Sequence, residues 1–244
     1  MPVIGCKVIE MLEKWTDMLS KCGEVEIEVS ECFKMLTQDI VAQTAFGSSY
    51  EQGKAIFSLQ AQQMLLTSEA LQKVFIPGYR FLPTKRNMKC WKLDREIKRS
   101  LLKLSMIMNE SLRLYPPIVA MIRRAKADVE LGGCKIPCGT ELLIPILAVH
   151  HDQTLWGSDV NEFNPTRFAK GVTMAAKHPA SYIPFGIGVR QCIGQNLAIL
   201  QTKITLAIIL QRFSFRMSPC YQHAPTVLML LHPQYGAPII FRPV

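Results

Sequence analysis

The sequence contains no run of about 18 apolar residues, so it offers no membrane-spanning helix. Its opening residues, Met1-Pro2-Val3-Ile4-Gly5-Cys6-Lys7, do not form a secretory signal. They lead directly into apolar helical spacing at Val8, Met11, Leu12, Trp15 and Met18, so the chain is expected to begin inside a domain. Internal repeats and low-complexity tracts are absent. The eight cysteines, Cys6, Cys22, Cys32, Cys90, Cys134, Cys138, Cys192 and Cys220, show no paired spacing. That argues against a disulfide framework and for free thiols in a reducing compartment. Histidines are missing around Cys134 and Cys138, which argues against a zinc site there. A basic surplus exists, 28 Lys and Arg against 19 Asp and Glu for a formal charge of +9. Its densest patches, Lys85-Arg86 and Arg123-Arg124-Ala125-Lys126, are short and lack interleaved aromatics, so nucleic acid is not an expected partner.

What remains is a globular composition, 49% apolar and 19% charged over 244 residues. Gly23 is expected to end the first helix, and Val25, Ile27 and Val29 alternate with glutamates as a strand. Ser30 reads as the N-cap of a helix whose face carries Phe33, Leu36, Ile40 and Thr44, with Gly47 as its C-cap. Residues 52–74 read as another helix, stopped by Pro77-Gly78. Helical spacing then runs unbroken through Ile97, Leu101, Leu104, Met108 and Leu112, predicting one long helix from about Met88 to Tyr115, ended by Pro116-Pro117.

Beyond Pro117 the texture changes. Val129–Leu131, Cys134–Ile136 and Glu141–Pro145 are short extended pieces between Gly- and Pro-rich turns. Residues 150–183 read as mostly irregular. Gly194 to Phe213 reads as a helix with Leu197, Leu200, Ile204, Ala207 and Ile208 on one face, and Ile239–Arg242 as a strand. The fold class is mainly α with a small β portion (α+β).

One segment carries chemistry: Phe185-Gly186-Ile187-Gly188-Val189-Arg190-Gln191-Cys192-Ile193-Gly194, directly before that helix. A helix N-terminus favours a thiolate at Cys192. Gly186, Gly188 and Gly194 remove side chains where a flat ligand would approach the backbone. Arg190 offers a fork for a carboxylate, and Phe185 offers an aromatic surface. A carboxylate-bearing macrocycle with a central metal suits this set. A lone cysteine in a glycine-rich loop would be unremarkable; the ten-residue pattern is not.

This segment resembles the cysteine loop of cytochromes P450. By that resemblance Cys192 is the axial ligand of a haem iron, Arg190 contacts a propionate, Phe185 lies near the sulfur, and Gly186 and Gly194 shape the loop. Thiolate ligation favours O–O cleavage. Glu110-Ser111-Leu112-Arg113 resembles the family's Glu-x-x-Arg pair, on one helix face at a spacing of three. On its own it would read as a weak surface ion pair. Phe163-Asn164-Pro165-Thr166-Arg167-Phe168 resembles the segment whose arginine, Arg167, completes a structural triad with Glu110 and Arg113. Arg123 matches a position that contacts the second propionate, and its neighbour Arg124 competes for that role.

Tyr115-Pro116-Pro117, Leu142 to Trp156, Tyr221 to Arg242 and Met11 to Leu104 resemble plant P450s that hydroxylate brassinosteroid hormones. The resemblance implies a partial cytochrome P450 fold: a helical region over 1–104 and a haem-binding region over 105–244. It implies a monooxygenase that inserts one oxygen atom from O2 into a small apolar plant metabolite, a steroid hormone. Haem is the implied cofactor, with electrons from NADPH–cytochrome P450 reductase. Arg190, Lys203 and Arg212 would suit an acidic reductase face, or equally plain solvated charge. The full-length family sits in the endoplasmic reticulum membrane through an N-terminal anchor; a chain without one would be cytoplasmic.

The chain also departs from the family. Plant P450s are roughly twice as long, beyond the size range of a single domain of this length. Their central helix carries an acid–threonine pair in an Ala/Gly-Gly-x-Asp/Glu-Thr pattern that this sequence lacks; Thr67-Ser68-Glu69 comes nearest, in the wrong order. No catalytic pair is therefore assigned. The matches flank a junction at Leu104–Ser105, so the long helix is expected to fuse two normally separate ones. Trp91 and Arg95 imitate a propionate-gripping pair but read as helix-face packing. The alternatives are a shortened, inactive P450 that binds haem weakly or not at all, and a helical interaction protein with incidental cysteines.

Overall fold

The computed structural model describes residues 2–19, 23–46, 88 and 102–244. The expected C-cap at Gly47, the helix over 52–74, Thr67-Ser68-Glu69 and the Trp91/Arg95 pair lie outside the described residues, as does most of the Met88–Leu101 stretch. Helices carry more of the chain than the short antiparallel strands, a mixed α+β architecture as expected. The chain divides into two compact units.

The first unit holds helix α1 (Pro2–Asp17), strand β1 (Val25–Glu28) and helix α2 (Val29–Phe46). The chain returns to it for a strand β6 (Phe213–Met217) and a C-terminal strand β9 (Pro238–Pro243). Ile4, Val8, Leu12 and Trp15 are buried at helical spacing on α1, each fully buried aliphatic stabilising by about 1.5–3 kcal/mol. Trp15 packs on Phe241 with ring centroids 4.7 Å apart and meets Phe213 edge-on at 6.4 Å. β9 is the centre of a three-stranded antiparallel sheet, β1-β9-β6. Val25 and Ile27 face inward and Glu26 and Glu28 outward, matching the alternation in the sequence.

Two expected boundaries shift. α1 ends at Asp17, and Gly23 instead takes a left-handed φ of +72° in the turn before β1. α2 starts at Val29, and Ser30 is not its cap. Glu28 caps it from the preceding strand, accepting from the amides of Ser30 (3.1 Å) and Glu31 (2.9 Å). The same carboxylate accepts from Ala237 N at 2.7 Å, tying the helix start to β9. Burial opposes ionisation of Glu28, but these amides outweigh it and hold its carboxyl below the usual range.

Gly236 lies against this carboxylate at φ +74°, and a Cβ there would stand 2.8 Å from Glu28 Oε1. Gly236→Ala is therefore expected to cost about 2–3 kcal/mol, the left-handed penalty plus disturbed capping bonds. Gly23→Ala, at a similar φ with open space around it, should cost only about 1–2 kcal/mol. Urea denaturation of the two variants measures the difference.

The second unit is built on helix α3, described over residues 102–114. It ends ahead of Pro116-Pro117, as the prolines dictate. Four strands follow: β2 (Met121–Arg124), β3 (Val129–Leu131), β4 (Cys134–Ile136) and β5 (Glu141–Ile144), paired as β2-β5 and β3-β4. β2 is a strand the sequence did not announce. Short helices α4 (Ile146–His150) and α5 (Gln153–Trp156) precede a run of 3-10 turns over the stretch expected to be irregular. Trp156, Val160, Phe168 and Ala175 form its buried cluster, with Tyr182 packed against it. A hairpin of β7 (Pro225–Val227) and β8 (Leu231–Pro233) completes the unit.

Helix α6 (Gln195–Arg212) runs from the second unit into the first. Its expected apolar face is only half-buried. The buried positions are Gln201, Thr205 and Ile209. Gln201 is accommodated because its Nε2 donates to Thr37 Oγ1 on α2 at 3.0 Å.

Candidate functional site

α3 positions the first group of site residues. Glu110 and Arg113 lie one helical turn apart, and both are fully buried. Arg113 donates from Nε to Glu110 Oε2 at 2.8 Å and from Nη2 to Oε1 at 2.9 Å, a bidentate fork. Its Nη1 donates to the His150 carbonyl at 2.9 Å, and its guanidinium lies 5.2 Å from the centre of the Trp156 ring. The third member, Arg167, follows Pro165 in a 3-10 turn. Its Nε stands 3.5 Å from Glu110 Oε1. Its other nitrogens grip Asp159 at 2.8 and 3.1 Å and the Trp156 carbonyl at 3.0 Å. Glu110 also accepts from Asn164 N at 2.9 Å. The structure thus brings Glu110, Arg113 and Arg167 together inside the protein, not on its surface.

Several partners in this network carry no motif. Asp159 holds Arg167, which lowers the Asp159 pKa. His150 is fully buried and has both ring nitrogens engaged. Ile183 N donates to Nε2 at 3.0 Å, which puts the ring proton on Nδ1, where it is donated to the Arg113 carbonyl at 3.1 Å. Burial, chiefly, lowers its pKa to about 4. His151 Nε2 lies 3.1 Å from the Leu114 carbonyl. The consecutive histidines therefore satisfy two of the carbonyls that α3 leaves open at its end. Tyr182 stacks on His150 at 5.7 Å, and its hydroxyl donates to Asn109 on α3 at 3.2 Å.

The cysteine loop begins at Phe185, three residues beyond Tyr182. Gly186 N donates to the Ile183 carbonyl at 3.0 Å, and Cys192 N to the Phe185 carbonyl at 2.8 Å. Gly186 and Gly188 adopt φ of +75° and +72°, conformations that favour glycine. A Cβ on Gly186 would stand 3.5 Å from the Met121 methyl, and one on Gly194 would stand 3.8 Å from Cys192 Sγ. Phe185 is half-buried, and Arg190 and Cys192 are exposed. Val189 and Ile193 are fully exposed beside them. β2 turns Met121 towards this loop, and Arg123 lies on the same face of the strand two residues on. Arg124 points the other way, its Nε donating to the Gly139 carbonyl at 3.1 Å. Among the described residues, no three His, Cys, Asp or Glu side chains gather to hold a metal, and no helix is long and apolar enough to cross a membrane.

A family model for cytochrome P450 matches residues 100–238. The chain is 50% identical to cytochrome P450 734A1 of Arabidopsis thaliana, over 99% of this chain and 66% of that protein. It is 44% identical to cytochrome P450 734A6 of Oryza sativa subsp. japonica, over 100% of this chain and 66% of that protein. The chain belongs to the cytochrome P450 family. Its resemblance to plant P450s holds as well. A third relative, cytochrome P450 72A397 of Kalopanax septemlobus, is 33% identical over 99% of this chain and 67% of that protein.

This P450 spans 66%, just under two thirds, of the length of the first two relatives. The alignment with the Arabidopsis protein runs over 341 positions, whereas the chain has 244 residues, so roughly a hundred positions have no residue of this chain opposite them. The loop's residues fit a haem. An exposed thiol stands among exposed apolar side chains, beside glycines that keep the approach to the sulfur clear. A flat apolar macrocycle would cover Val189 and Ile193, which otherwise face water.

Proposed function

We propose that this chain is a haem-thiolate protein with Cys192 as the iron ligand. Arg190 and Arg123 would hold the propionates, and Phe185, Gly186 and Gly194 would shape the contact. The observation that carries this reading is the exposed Cys192 thiol on a loop whose glycines and amide bonds hold it open. When bound, haem ligated by a thiolate supplies O–O cleavage chemistry. By descent the reaction is insertion of one oxygen atom from O2 into a small apolar plant metabolite, a steroid hormone of the brassinosteroid class. NADPH–cytochrome P450 reductase is the proposed electron donor and the endoplasmic reticulum membrane the proposed location. In this reading residues 105–244 form the haem-binding region and residues 1–104 a helical region that precedes it.

Two observations favour a second reading. The alignment leaves roughly a hundred positions unfilled, and the sequence has no acid–threonine pair to deliver protons to oxygen. The chain then retains the cysteine side of the haem site without the wall that excludes water on the other side. It binds haem but does not hydroxylate.

Reconstitution with haem, followed by reduction under carbon monoxide, tests the shared claim. A red-shifted Soret band typical of a thiolate complex is expected, and Cys192→Ser should abolish it. Failure of the parent chain to take up haem overturns both readings. Steroid turnover with reductase then supports the first reading, and its absence in a haem-loaded chain supports the second.

A further inference from the structure

A continuous path of hydrogen bonds connects the proposed ligand loop to the charged triad. It passes through His150, a fully buried residue on α4. On one side, its Nδ1–H donates to the Arg113 carbonyl, and its own carbonyl accepts from Arg113 Nη1. His150 is thus bonded through both its ring and its backbone to the residue that grips Glu110. On the other side, Nε2 accepts the Ile183 amide. Ile183 then accepts from Gly186 N, and the next residue but one, Phe185, accepts from Cys192 N. Tyr182 adds a second clamp beside the first. It stacks on the His150 ring and donates its hydroxyl to Asn109, the neighbour of Glu110. Tyr182 is therefore tied to α3 directly and Ile183 through the His150 ring, immediately before the chain turns into the cysteine loop.

The bond to Ile183 has a strict chemical requirement. A backbone N–H can only be met by an acceptor, so Nε2 must keep its lone pair and the ring must remain neutral. A phenyl ring would preserve the stacking on Tyr182 and the volume of the site, but it would leave both the Ile183 amide and the Arg113 carbonyl unpaired in a buried place.

We propose that His150 is a positioning residue for Cys192, fixing the register of the cysteine loop against the helix that carries Glu110 and Arg113. Its consequence for iron ligation rests on the reading of Cys192 as the ligand, but the geometry it sets does not.

Amide hydrogen exchange on the full chain tests this, with haem titration as a separate arm. In His150→Phe, the amides of Ile183, Gly186 and Cys192 are expected to lose about tenfold or more of their protection together. The Trp156 amide, which donates to Asp152, should keep its protection. A merely structural role would lower protection evenly throughout, and that result overturns the proposal. So does loss at Ile183 with Cys192 unchanged. Should His150→Phe fail to fold, His150→Gln retains an acceptor and is measured in the same way. Joint retention at Ile183 and Cys192 supports the proposal, as does joint loss confined to the loop. Separation of the two overturns it. Absence of haem uptake by the parent chain overturns the ligand reading while leaving the exchange comparison intact.

Discussion

Replacing Glu110 with Leu is expected to destabilise the protein by about 3–5 kcal/mol, a large fraction of the stability of a marginally stable chain. The magnitude comes from what is left behind. Glu110 accepts two bonds from Arg113 and one from Asn164 N, and it faces Arg167 Nε at 3.5 Å. Without its carboxylate, a fully buried guanidinium loses its counter-charge, and a second, nearly buried one is left with Asp159 alone. The same helical spacing occurs on α1, where Lys7 Nζ meets Glu10 Oε2 at 2.8 Å, the distance found between Arg113 and Glu110. That pair is open to solvent, so Lys7→Ala should cost less than about 1 kcal/mol. Urea denaturation followed by tryptophan fluorescence measures both, since Trp156 lies against Arg113 and Trp15 is buried on α1 itself. A small effect of Glu110→Leu would show that the buried cations find other partners. A large effect of Lys7→Ala would show that spacing, not burial, sets the value of these pairs.

The contrast between these two pairs also shows what the sequence could reveal. Glu110, Arg113 and Arg167 were legible through their order and their motif setting. Their burial was not, because a spacing of three reads identically on a solvated helix. The cysteine loop was legible because glycines at left-handed positions, an arginine and a cysteine occur together. Asp159, His150 and Tyr182 leave no signal in the sequence for a different reason. His150 and Tyr182 act on backbone groups or residues distant in sequence, and Asp159 on side chains a few positions on in non-repetitive chain, and such bonds impose no period. Glu28 leaves no signal because a cap supplied from a preceding strand looks like the outward half of an alternating pattern. The buried face of α6 departs from its apolar face because hydropathy places Gln201 outside, whereas its bond to Thr37 lets it lie inside. The strands β2, β6, β7 and β8 are three to five residues long, too short for alternation to stand out from noise.

His150 should also leave a signature in the pH dependence of stability. Its ordinary pKa is 6.5, and burial, opposed by the hydrogen bond to the Arg113 carbonyl and aided by smaller repulsion from the Arg113 and His151 charges, lowers it to about 4 in the folded chain. Above pH 6.5 the ring is neutral in both folded and unfolded states and contributes no slope. Between 6.5 and about 4 the unfolded chain binds a proton that the folded chain refuses, so stability falls as the pH falls. The loss accumulated across this window is roughly 3 kcal/mol. The carboxylates act lower down. Glu24, Glu28, Asp152 and Asp159 all have lowered pKa values in the fold. Their contribution is present above the ordinary carboxylate range, near 4, and disappears only as the pH falls below it. Stability measured by urea denaturation between pH 7.5 and 4.5 should therefore show a slope of about one proton that belongs to His150. In His150→Gln, which does not titrate, the curve over that interval should flatten even though the protein is less stable at pH 7.5. A slope that survives the substitution would assign the acid sensitivity to another group and would mean that His150 does not stay neutral in the folded core.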